Sequence, residues 1–92
     1  MEANVIKFEL LRKGEKVLCE CAILDRIAMF KFNVKGVAQE CFEYERRTGK
    51  TECRFDNRRD VYTEIYRNKN REELTAFIRQ KLLDAGAKEV KA

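Results

Sequence analysis

The residues Thr48-Gly49-Lys50-Thr51, centred in the run ERRTGKTECRFDNRRD, contain the tripeptide with which phosphate-binding loops end. In such a loop a glycine five residues before the Gly-Lys-Thr lets backbone N–H groups wrap the phosphates. Here that place is held by Tyr44. The flanks differ as well: Cys41 to Arg47 is mostly charged where a buried strand should stand, and Thr51 to Asn57 alternates like a strand where a helix should open. The tripeptide is therefore expected to be a basic turn, not a nucleotide cradle.

Other reactive side chains are few in kind. The chain has no histidine, which removes the usual base at neutral pH, the Cys-His and Ser-His nucleophile pairs and the commonest metal ligand. Cys19, Cys21, Cys41 and Cys53 contain no C-x-x-C knuckle, so buried, reduced thiols are expected in place of a zinc site. Glu43, Glu45 and Glu52 could supply an acid and a base, but arginines surround them and salt-bridged surface strands explain them more simply. No catalytic residue, cofactor or metal is expected.

Charge is more informative. Of the 20 Lys and Arg and 16 Asp and Glu, the segment from Arg46 to Arg71 holds nine basic and four acidic residues, so all the excess positive charge lies there. The candidate contacts to a partner are Arg46, Arg47, Lys50, Arg54, Arg58, Arg59 and Arg67, interleaved with Tyr44, Phe55, Tyr62 and Tyr66. Guanidinium forks grip phosphates at two points, and aromatic faces accept unstacked bases. An anionic partner follows, with the aromatics also eligible as ordinary core.

The elements that must position these groups begin with a hairpin, Val5 to Leu11 and Lys16 to Ile23. A two-residue Lys13-Gly14 loop sets Leu10 opposite Val17, Phe8 opposite Cys19 and Ile6 opposite Cys21, with Lys7 facing Glu20 on the other side. Ile27 to Val34 gives a third strand with Ala28, Phe30, Phe32 and Val34 on one face. Residues 37–48 fit a helix capped by Gly49, but also a strand. A Gly49-Lys50 turn would then place Tyr44 opposite Phe55, Glu45 beside Arg54 and Arg47 beside Glu52, and this second hairpin is the preferred reading. Val61 to Arg67 reads as the final strand, its Val61, Thr63 and Ile65 opposing Tyr62, Glu64 and Tyr66. Asn70 with Glu73 is a helix start signal, and Leu74, Phe77, Ile78, Leu82 and Ala85 recur at helical spacing until Gly86, with Phe77 as the expected anchor. The expected architecture is one α+β domain over 1–92: an antiparallel sheet of about five or six strands with one C-terminal amphipathic helix on a face, and a helix at 37–48 as the alternative.

No membrane span or secretory signal is evident in these 92 residues, so a soluble, intracellular protein is expected. A histidine-free chain of this length with an antiparallel sheet, a terminal helix and the charged stretch ECFEYERRTGKTECRFDNRR resembles the small phage-encoded anti-CRISPR inhibitors of type I surveillance complexes. The resemblance covers the whole chain as a format and implies a stoichiometric, non-enzymatic binder in the host bacterial cytoplasm. Its implied partner is a CRISPR ribonucleoprotein, protein subunits and guide RNA, whose access to target it blocks. Many such inhibitors mimic DNA with acidic surfaces, and this basic segment departs from that pattern. The expected alternatives are a free RNA- or single-stranded-DNA-binding accessory protein and a structural or assembly factor.

Overall fold

The computed structural model describes residues 3–49 and 51–91. Along the chain run β1 (Asn4–Arg12), β2 (Glu15–Leu24), β3 (Ile27–Phe32), α1 (Val37–Thr48), β4 (Glu52–Asp56), β5 (Val61–Ile65), α2 (Arg71–Asp84) and β6 (Lys88–Glu89). The six strands form one open sheet in the order β4-β5-β3-β2-β1-β6, each antiparallel to its neighbours. Because β5 sits between them, β3 and β4 run parallel and α1 makes the crossover that joins them.

The first hairpin has the expected register, with Leu10 opposite Val17, Phe8 opposite Cys19, Ile6 opposite Cys21 and Lys7 opposite Glu20. Lys13 and Gly14 both take positive φ, 51° and 77°, the backbone of a two-residue turn whose twist matches the strands. Alternation then sorts the sheet into two faces. Ile6, Phe8, Cys19, Cys21, Ile23, Ala28, Phe30, Phe32 and Tyr62 are buried with Leu74 and Ile78 of α2 and with Val37 and Ala38 of α1, so both helices cover the same face. The opposite face carries exposed Lys7, Leu18, Glu20 and Lys31, as open antiparallel sheets commonly do.

Residues 37–48 are helical, which corrects the second hairpin. Gly49 has φ 67° and ψ 14°, the left-handed residue that ends a helix, and its N–H donates to Glu45 O at 3.2 Å. Cross-strand pairs contribute only about 0.2–1 kcal/mol each, and the same hairpin register would set Glu43 against Asp56, a repulsive pair. The helix instead buries Val37, Ala38 and Glu45 and stacks Phe42 on Phe55 with centroids 5.7 Å apart. The hairpin that does form is β4–β5, with Phe55 opposite Tyr62. Nor is β5 the last strand, because the two-residue β6 pairs with Phe8 and Glu9 of β1.

Helix α2 starts as expected. Asn70 Oδ1 accepts from the Glu73 N–H at 2.9 Å, and Glu73 Oε1 accepts from the Asn70 N–H at 3.2 Å. Its anchors are Leu74 and Ile78, both fully buried, whereas Phe77 is 40% exposed, which corrects its expected role. Helix α1 lies over β3, β4 and β5, and α2 over β1, β2 and β3. Among the described residues the backbones of the two helices stay apart, and the cleft between them is floored by β3 and β5.

Candidate functional site

The cationic side chains singled out in the sequence gather around the β4 edge but point in different directions. Arg46 and Arg47 are exposed near the end of α1, Arg54 is exposed on the sheet face away from the helices, and Arg58 and Arg59 occupy the β4–β5 turn. Lys50 lies outside the described residues. Arg47 lies over the Tyr44 ring at 5.6 Å. Arg59 Nε is 3.9 Å from Asp56 Oδ2, a long contact between exposed groups, and Asp56 also accepts the Arg58 backbone N–H at 3.0 Å. Arg67 is differently placed: its guanidinium grips both carboxylate oxygens of Glu52, at 3.1 and 3.2 Å, and is thereby committed within the chain.

The interleaved aromatics divide likewise. Tyr62 is buried and stacks on Phe30 at 4.7 Å, Phe55 packs under α1, and Tyr66 meets Phe77 edge to face at 5.1 Å. Only Tyr44, 55% exposed, offers substantial ring surface among the tyrosines.

A second constellation lies in the interhelical cleft. Glu64 points inward from β5 and is wholly buried, a position a carboxylate occupies only when paired and hydrogen-bonded. Lys81 Nζ of α2 donates to its two oxygens at 2.9 and 3.1 Å, Tyr62 Oη donates at 3.3 Å, and Tyr66 Oη donates as well. The same ammonium reaches Glu45 Oε1 of α1 at 2.8 Å. Burial works against the Lys81 charge, but the charges and hydrogen bonds of Glu64 and Glu45 outweigh it and raise the pKa above its ordinary value. Burial, then the neighbouring Glu64, pushes the Tyr62 hydroxyl well up; for Tyr66, burial is followed by its hydrogen bond to Glu64.

Sequence reasoning did not single out this network, although its residues sit at core spacing. Lys81 follows Leu74 by seven and Ile78 by three, Glu45 follows Cys41 by four, and Glu64 alternates with Tyr62 and Tyr66. Their charge concealed them, and nothing local links partners so distant along the chain.

Two cavities flank the Lys81–Glu45 bridge. One, of about 490 Å³, is walled by Phe30, Phe32, Tyr62 and Leu82, with Arg12 and Glu40 paired at its rim. The other, of about 440 Å³, is bounded by Tyr44, Tyr66 and Phe77 with Glu45 and Asp84.

The thiols are poorly placed for nucleophilic work. Cys19 and Cys21 are buried; burial, then nearby charge, pushes Cys19 up to about 12 and raises Cys21 as well. Burial also raises Cys41 and Cys53. Among the described residues no three His, Cys, Asp or Glu side chains converge as a metal site, and no helix is long and apolar enough to cross a membrane. No protein-family model, curated protein or solved structure matches the chain, so its own side chains carry the functional argument.

Proposed function

We propose that the protein is a non-enzymatic binder that engages an anionic partner through the β4 edge, and that this partner is a type I CRISPR ribonucleoprotein whose target access it blocks. The observation that carries the anionic reading is the exposure of Arg46, Arg54, Arg58 and Arg59 around one edge strand, with Asp56 and Asp60 as the acids that flank the turn arginines. A partner that wraps this edge meets the end of α1, the β4–β5 turn and the outer sheet face. The choice of a CRISPR complex rests on the resemblance of format. The raised thiol pKa values and the closed hydrogen bonding of Glu64 favour binding over catalysis.

The rival, a free single-strand binder, needs aromatic platforms on which bases can stack. Tyr62 and Phe55 are taken up by the core and Tyr66 by Glu64, which gives that reading less support. Salt-dependent binding to a bare RNA or DNA oligonucleotide would favour the rival, whereas binding only to the assembled complex supports the inhibitor. In either assay Arg58→Ala with Arg59→Ala is expected to weaken binding by about 1–3 kcal/mol per strong contact. Undiminished binding by a folded double variant would remove the turn from the interface.

A further inference from the structure

The cavity between Tyr44 and Phe77 combines three features that the proposed edge interface does not use. Three of its lining residues are aromatic, and two of these rings keep much of their surface outside the core: Tyr44 is 55% and Phe77 is 40% exposed. Both rings already attract cations. Arg47 lies over Tyr44 from the neighbouring cavity, and Lys69 Nζ sits 4.9 Å over Phe77 from the loop before α2. Neither cation lines the cavity itself.

Its charge is also out of balance. Among the described residues that line it, Glu45 and Asp84 carry two negative charges against the one ammonium of Lys81, which is also bound to Glu64 of the neighbouring cavity. Lys81 spends its hydrogen bonds on Glu64 Oε1 and Oε2 and on Glu45 Oε1. With that ammonium shared between two carboxylates, the surplus negative charge on this wall favours an incoming cation. Thr48 and Thr51 add hydroxyl acceptors at the wall.

We propose that this cavity binds a small primary alkylammonium ion. Its N–H donors face Glu45 and Asp84, and its alkyl chain lies against Tyr44, Tyr66 and Phe77. The volume of about 440 Å³ falls within the roughly 300–1,000 Å³ of small-ligand sites. Aromatic faces and carboxylates together recognise an amine better than either alone.

The test is titration of the isotope-labelled protein with n-butylammonium, followed by amide chemical shifts, with 1-butanol and tetramethylammonium as comparison probes. The expected result is saturable shifts centred on Tyr44, Thr48, Tyr66 and Gln80, with binding about tenfold weaker in Asp84→Asn. Asp84 is exposed and accepts a hydrogen bond from Gln80 Nε2 at 2.8 Å, so this variant keeps the core intact. Glu45→Gln is expected to weaken binding in the same direction. Absence of saturable shifts, equal response to 1-butanol or to tetramethylammonium, or unchanged affinity in Asp84→Asn would each overturn the proposal.

Discussion

Lys81 on α2 holds Glu64 on β5 at 2.9 and 3.1 Å while reaching Glu45 on α1 at 2.8 Å. Among the described residues it is the one ion pair that joins the two helices. It is an ionic strut across the cleft between two helices whose backbones stay apart.

Replacing Lys81 with methionine keeps the length and removes the charge, so the fully buried Glu64 loses its counter-ion. The expected loss is about 3–5 kcal/mol of stability by urea unfolding. A loss below about 1 kcal/mol would show that the strut is dispensable.

The anchors of α2 differ sharply from its exposed aromatic. Leu74→Ala or Ile78→Ala empties a site that is fully buried and should cost about 2–5 kcal/mol. Phe77→Ala gives up mainly the edge contact with Tyr66 and should cost about 1 kcal/mol. Equal losses would contradict the burial that separates them.

Alkaline conditions should destabilise the fold. Cys19 and Cys21 are raised above their ordinary 9.0, so the unfolded chain releases these protons first. Their contribution is complete below pH 9 and is lost as pH climbs to about 12, where Cys19 titrates in the folded state. Lys81 has the same sign, beginning above 10.5. Each fully engaged group contributes about 1.4 kcal/mol per pH unit. Melting temperatures under reductant should fall as pH rises from about 9 to 10.5, less steeply in Cys19→Ala; a flat or rising profile would contradict this.

Asn70→Ala removes the cap from α2 and frees the Glu73 N–H. The expected cost is about 1 kcal/mol, read by thermal unfolding. No change would mean that water serves the helix end equally well.

The strands of the first hairpin were legible because alternation and a two-residue glycine turn both specify the same register. Residues 37–48 were less so, since Gly49 serves equally as a hairpin residue and as a helix stop. What decided between them was distant: Phe42 meets Phe55, and Glu45 meets Lys81. Leu74, Phe77 and Ile78 all belong to the apolar stripe that the sequence shows, but which member of it faces the sheet depends on helix rotation, which buries Leu74 and Ile78 and leaves Phe77 40% exposed. β6 is two residues long and carries no period to detect. Of the cationic set, Arg67 was visible as a residue but not as a partner of Glu52, because that pairing depends on the β4–β5 register.

The interposition of β5 between β3 and β4 means that β4 has no place in the sheet until β5 has joined it. β1, β2 and β3 join through short turns and can zip as a meander while the remainder of the chain is still being synthesised. β5 enters its slot only after α1 has carried the chain across, and with it arrive both Tyr62 and Glu64. Pairing of β5 with β3 and internment of its acidic group are thus one event, and a nascent chain halted before α2 would hold Glu64 without the lysine that neutralises it.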